Sequence, residues 1–185
     1  MVSNNMQSIV ISDASPLIFF AKLDALKLLS NVFDEITVPP AVITESVYAG
    51  KQRYKPDAER IRKALAKGVI VPLKLTEQEA YQAQILHQNT SLGSGECEVI
   101  ICASQRGAKA LLHDKRARSA ATRYGVKTVS ITDVLYLALL RRKITLHTFK
   151  KLLRQLAIMT GMSAATLLEH ESIADEIALQ LQIKE

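Results

Sequence analysis

Apolar positions along the chain fall into short runs, the first of them β-branched throughout, separated by longer stretches with helical spacing. The runs are Ile9-Val10-Ile11, Ile36-Thr37-Val38, residues 69–73, Ala110-Leu111-Leu112 and residues 126–131. Runs of this length, bounded by turn residues, read as strands covered on both faces. Pro72 assigns its run to an edge or a strand end, because proline brings no N–H to a ladder. The stretches between the runs read as helices. Ser15-Pro16 reads as a helix start, with Ser15 as the capping oxygen. Asp24 reads as the cap of a short helix over 25–29. Pro39-Pro40 ends a strand and starts a helix over 41–48, and residues 50–54 form a polar connection. Pro56-Asp57 opens a helix over 58–67, which Gly68 closes in the left-handed region. Thr76-Glu77-Gln78-Glu79 is a capping box leading to about residue 88. The glycine-rich turn 92–96 leads into a helix ended by Gly107. Residues 115–124 and 134–142 complete the set, the latter capped by Thr132-Asp133.

Strands and helices alternate from end to end of this region, which predicts an α/β fold with a parallel sheet and helices on both faces. After Ile144 the pattern changes. Residues 148–159, 164–170 and 173–183 have helical spacing, and no further strand follows. The expected organisation is an α/β domain over 1–145 and a helical extension over 146–185, packed on its own domain or on a partner chain.

Composition narrows the function. The chain has 185 residues, of which 48% are hydrophobic, enough for one domain with a full core. No segment reaches the ~18 uncharged apolar residues of a membrane span. Residues 1–5 lack the pattern of a signal peptide, so a cytoplasmic location is expected. Cys97 and Cys102 lack metal-ligand spacing and read as buried thiols of a reducing compartment. The net charge of +6 suits a polyanionic partner. With no Trp and few aromatics, base stacking is a poor fit as the binding mode.

Four acids stand where a site would form. Asp13 follows the first strand and Asp114 the strand over 110–112, so both belong at the carboxyl edge of the sheet, where ligands bind in such folds. Glu96 lies in the first turn of a helix and Glu45 in the helix after the second strand. Each alone has an ordinary role as a cap or dipole partner. Converging, they supply the all-oxygen donor set that Mg²⁺ or Mn²⁺ takes. Arg106, Lys109, Lys115, Arg116, Arg118, Arg123 and Lys127 surround the last acid in sequence. Cations beside an acidic centre are what phosphodiester cleavage needs to hold a nucleic-acid backbone. Other chemistries fit less well. Gly93-Ser94-Gly95 lacks the third glycine and the preceding strand of a dinucleotide fingerprint. A phosphotransferase with an aspartyl nucleophile would want a second Asp where Ser15 stands. His113 beside Asp114 reads as a strand-closing residue.

Four blocks together carry a family resemblance. They are Ile11-Ser-Asp13-Ala-Ser15-Pro-Leu-Ile18, Val38-Pro-Pro-Ala-Val-Ile-Thr-Glu45, Leu92-Gly-Ser-Gly-Glu96-Cys-Glu98 and Leu111-Leu-His-Asp114-Lys-Arg-Ala-Arg118. In this order they resemble the PIN-domain family over roughly 9–145. The resemblance implies a three-layer α/β/α fold and a Mg²⁺- or Mn²⁺-dependent ribonuclease, in many relatives the toxin of a toxin–antitoxin pair. It implies catalytic roles for Asp13, Glu45, Glu96 and Asp114, with Asp13, Glu96 and Asp114 as metal ligands and Ser15 supporting Asp13. Lys115 stands where relatives often carry a further acid. Glu96 and Glu98 compete for the third position; two apart on a helix, they cannot face the same way, and Glu96 is the nearer to the helix start.

The leading expectation is metal-dependent hydrolysis of RNA, with Lys115, Arg116, Arg118 and Arg123 on the backbone. The alternative is a non-catalytic PIN-like module that binds nucleic acid or a protein, which Lys115 favours. Expected partners are RNA, an antitoxin protein and a second copy of the chain in a homodimer, with no membrane.

Overall fold

The structure is a computed structural model that describes residues 9–49 and 55–183. The connection expected at 50–54 and the N-terminal residues 1–5 lie outside the described residues. By their internal packing the residues divide into two compact units, Met1–Ser130 and Ile131–Glu185.

The first unit runs β1 (Ile9–Ser12), α1 (Ala14–Lys22), α2 (Leu26–Val32), β2 (Glu35–Val38), α3 (Pro40–Ile43), α4 (Pro56–Ala66), β3 (Val71–Pro72), α5 (Glu77–Gln88), α6 (Ser94–Arg106), β4 (Lys109–Leu111), α7 (Lys115–Arg123) and β5 (Thr128–Val129). The strands form one parallel sheet in the order β3-β2-β1-β4-β5. In register, Ile11 stands between Thr37 of β2 and Ala110 of β4. The chain steps outward from β1 to β3, returns past β1 to β4, and steps outward again to β5. Right-handed crossovers therefore put α1 to α4 on one face and α5 to α7 on the other, a three-layer α/β/α arrangement. The fully buried Val10, Ile11, Leu17, Phe20, Leu29, Ile36, Ile100, Leu111 and Leu112 form the core of these layers.

Four local expectations are corrected. The cap of α1 is Asp13, whose side chain accepts from the Ser15 N–H, and Pro16 sits inside the first turn. That position is tolerated because first-turn N–H groups have no helical partner. Asp24 closes α1 instead of opening α2. It adopts φ +53°, a conformation short polar side chains tolerate, while Ala25 N–H reaches back to Phe20 O at 2.8 Å. The outer strands are shorter than their apolar runs: β3 has a ladder neighbour on one side only and ends at Pro72, and Val126 N–H is spent on Ala121 O at the end of α7. The helix over 41–48 is α3 followed by a π-helical turn, Thr44–Tyr48, closed by Ala49 N–H on Thr44 O.

The second unit holds α8 (Ile131–Leu140), α9 (Leu146–Thr160) and α10 (Ala164–Leu181). α8 packs with the two helices after it, so the packing divides the chain at 130/131, where the sequence pattern suggested 145/146. The two helices expected over 164–170 and 173–183 are one continuous α10. Neither Glu171 nor Ser172 breaks a helix, and Ala174 and Ala178 lie one turn apart on its buried side. Tyr136 ties the unit together. Its ring stands 5.0 Å from Phe149, and its hydroxyl lies 2.9 Å from His170 Nδ1. Among the described residues no helix is long and apolar enough to cross a membrane.

Candidate active site

The sheet order reverses between β1 and β4, so a crevice opens at the carboxyl ends of those two strands. Asp13 follows β1 directly, and its N–H donates to Leu111 O at 3.0 Å, which pins it to the end of β4. Asp114 stands just beyond β4 and caps α7, with Oδ1 accepting from the Arg116 and Ala117 N–H groups at 2.7 and 3.0 Å. Both acids thus occupy places the fold needs for helix caps, and both lie at the mouth of the crevice.

Glu45 and Glu96 come from the helices that follow β2 and precede β4. Glu45 lies in the π-helical turn. Its Oε1 accepts from Gly95 N–H and from the Ser94 hydroxyl, both at 3.3 Å, at the start of α6. The approach is close: a Cβ on residue 95 would stand 3.1 and 3.2 Å from the two Glu45 carboxylate oxygens. Glycine is what allows the second helix of the site to meet the first. Glu96 folds back on its own helix start, Oε2 accepting from Gly93 N–H at 2.8 Å. Glu98 faces elsewhere. Its Oε2 accepts from Ala41 N–H at 2.9 Å, in the first turn of α3, which helps to anchor the helix leading into Glu45.

The carboxylates feel one another. Asp13 is only 5% exposed. Burial raises its pKa to about 6 against two local backbone N–H groups, and the charges of Glu96 and Glu45 push it the same way. Glu96 is raised by burial and by Asp114 and Glu45, against the Gly93 N–H. Glu98 is raised by burial and by Glu45, against the Ala41 N–H. These interactions bring together the four acids read from the sequence and add Glu98 beside them.

Holding carboxylates near one another costs stability unless a cation neutralises them. The donors here are all oxygen, the set hard divalent cations take. Among the described residues, however, no three acid, His or Cys side chains stand grouped as a metal-ligand set. Oxygens of Glu45, Glu96, Asp114 and Asp13 are engaged by nearby N–H groups. The donor chemistry fits Mg²⁺ or Mn²⁺, and a cation would compete with these N–H groups for the carboxylate oxygens.

Ser15 supports Asp13 through its backbone N–H, at 3.3 Å, with its own side chain outward. The basic residues divide. Lys115, Arg116 and Arg123 line a groove of about 570 Å³ that also includes Asp114, Ser91 and Ser119. Arg118 is not among its lining residues; its charge, after burial, helps to hold the His113 pKa down. His113 itself presents its ring edge-on to Phe19 at 5.1 Å. Arg106 belongs to another structure altogether: its guanidinium grips the Glu79 carboxylate at 2.7 Å twice. Lys109 begins β4 and so lies at the opposite edge of the sheet from Asp114. Cys97 and Cys102 are buried thiols, pushed up to about 11 and about 12 by that burial.

The sequence reading missed the close approach at Gly95 and the brace from Glu98. The signal for both was present in the spacing Gly93-x-Gly95-Glu96-x-Glu98, two glycines where a helix must start against another element.

A family model, DUF3368, described as a PIN domain, matches residues 9–175. No curated protein matches the chain.

Proposed function

The chain belongs to the PIN-domain family, in general a family of nucleases, and on that premise we propose that it is a divalent-metal-dependent ribonuclease. The observation that carries this reading is that Asp13, Glu45, Glu96 and Asp114 lie within electrostatic reach of one another where the sheet order reverses, with Asp13 raised chiefly by its burial and further by Glu96 and Glu45. Asp13, Glu96 and Asp114 would hold the cation. Glu45, tied to the start of α6, would fix the far side of the centre. When bound, Mg²⁺ or Mn²⁺ would supply the positive charge and water activation that phosphodiester hydrolysis demands. The chain's own contribution is placement. The two helix caps fix Asp13 and Asp114. The groove beside Asp114 offers Lys115, Arg116 and Arg123 to a phosphate backbone, with Ser91 and Ser119 as hydroxyl partners. Such contacts position a strand without reading its bases. In this reading the chain acts in the cytoplasm as the toxin of a toxin–antitoxin pair.

The test is cleavage of a labelled single-stranded RNA pool with Mg²⁺, with Mn²⁺ and with EDTA, beside Asp13→Asn. Cleavage should need the metal and vanish in the variant. Undiminished metal-dependent cleavage by a folded Asp13→Asn protein would sink the assignment. The second reading, a PIN-like module that binds nucleic acid without cutting it, draws on the engagement of the acids by local N–H groups and on Lys115 beside Asp114. RNA binding that is indifferent to divalent metal, with no cleavage, would establish it.

A further inference from the structure

Phenylalanine is scarce in this chain and is spent on the core, with one exception. Phe20, Phe33 and Phe149 are buried. Phe19 stays half-exposed, although the next residue on α1, Phe20, is fully covered. Ser15, Phe19 and Lys22 are spaced four and three residues apart, so they share one face of α1. Ser15 and Lys22 on that face are exposed. The face begins at the candidate site, because the Ser15 N–H is the group that donates to the Asp13 carboxylate.

The ring that meets Phe19 comes from the other strand of the crevice. His113 directly precedes Asp114 and is exposed, and its ring centre lies 5.1 Å from that of Phe19 with the planes at 65°. Neither ring nitrogen is hydrogen-bonded within the described residues, so His113 serves neither as a cap nor as part of the core. The pair joins the helix that follows Asp13 to the residue beside Asp114. Arg118 lies close enough for its charge to act on His113. Phe19, His113 and Arg118 are all absent from the lining of the basic groove, which reaches Asp114 through Lys115 and Arg116. Two rings and a guanidinium therefore stand at the acids on a surface of their own.

This placement deepens the ribonuclease reading and rests on it. The groove offers charge to phosphates, and such contacts do not engage the bases. A single-stranded RNA also presents unstacked bases, which proteins receive on Phe and His rings and on the plane of an arginine. We propose that Phe19 and His113 form a stacking platform for one base of a single-stranded RNA, on the nucleotide next to the phosphate held at the acids. Composition made a run of aromatic platforms a poor fit, and the fold supplies a single one where the acids meet. The bases of a duplex are already stacked in pairs, so the platform favours an unpaired strand over a duplex.

The experiment is binding of the full-length protein to two labelled strands of equal length, by fluorescence anisotropy in EDTA so that neither is cut. One is single-stranded RNA, and the other is a ribose-phosphate strand without bases. The wild type should bind the RNA more tightly than the strand without bases. Phe19→Leu and His113→Leu should each weaken RNA binding by about 10-fold or more and leave the other strand unaffected. His113→Phe keeps a ring while losing both nitrogens, so it should bind RNA as the wild type does. The thermal midpoint of each variant shows that it is folded. Equal wild-type binding to the two strands would overturn the proposal. So would folded leucine variants that keep full RNA affinity, or a loss in His113→Phe as large as in His113→Leu. Metal-dependent cleavage by the wild type and its loss in Asp13→Asn, measured alongside, show whether the ribonuclease reading stands when the platform falls.

Discussion

At the scale of single residues, Asp13 sets the pH behaviour. Its folded pKa is raised to about 6 from an ordinary 3.8, so the neutral acid is the form that folding prefers. The contribution is fully present below the ordinary carboxylate pKa and is lost as pH rises from about 4 through about 6, about 3 kcal/mol in all. Without divalent metal, Asp13→Asn should be more stable than the wild type at pH 7 and nearly equal to it at pH 3.5, measured by urea midpoints at the two pH values. Equal midpoints at pH 7 would mean that Asp13 is not under the charge strain its burial implies. Gly95 is the second telling residue. An alanine there would press on both Glu45 oxygens at 3.1 and 3.2 Å and on the buried Val42 Cγ2 at 3.2 Å, while helix propensity favours alanine by about 1 kcal/mol. The crowding and the propensity oppose each other, so Gly95→Ala should change thermal stability little and lose cleavage by about 10–100-fold, the range typical when support around a metal ligand is disturbed. A variant that loses both together would place Gly95 in folding alone.

At the scale of elements, α5 and α6 are clamped by one ion pair. Glu79 is the reciprocal partner in the capping box of α5, and its carboxylate is also the seat of the Arg106 guanidinium from the last turn of α6. The side chain of Glu79 is almost fully covered, and the arginine holds its pKa down to about 2. Its contribution is therefore present above the ordinary carboxylate value and lost as pH falls toward 2. Arg106→Ala leaves that charge buried without its partner and should cost about 3–5 kcal/mol, read as a drop in the denaturant midpoint. An unchanged midpoint would show that Thr76 alone satisfies Glu79. The capping box was legible in Thr76-Glu77-Gln78-Glu79, whereas the arginine that completes it lies 27 residues further along, and no local pattern announces it.

At the scale of the molecule, charge is distributed so that the acids and the groove lie side by side in the first unit. Each phosphate contact releases counterions, so binding to single-stranded RNA should weaken with salt, with a log–log slope reduced by about 0.7 for each contact removed. Arg116→Ala and Arg123→Ala should each flatten the slope by that amount, while Lys109→Ala, on the opposite edge of the sheet, should leave it unchanged. A salt slope insensitive to Arg116 and Arg123 would remove the groove from the RNA path. The reading of seven basic residues as one cluster around Asp114 was the least successful inference from sequence, because a helix start, an ion-pair clamp and a strand's far end all fall within that stretch.

The sequence by itself determined the alternation of strands and helices, the parallel sheet, and the two acids at strand ends. These depend on local periodicity and on turn chemistry, which neighbouring residues encode directly. It also determined the family, because four motifs in a fixed order are a linear property. Only the tertiary structure decided how far the outer strands extend, since ladder length depends on which neighbours a strand has. Only it decided that Asp13 caps its own helix, that Gly95 is the point where Glu45 meets α6, and that Glu98 braces α3. Each is a contact between segments distant in sequence or a competition between adjacent caps, and its outcome depends on which backbone groups the fold leaves in need of a partner.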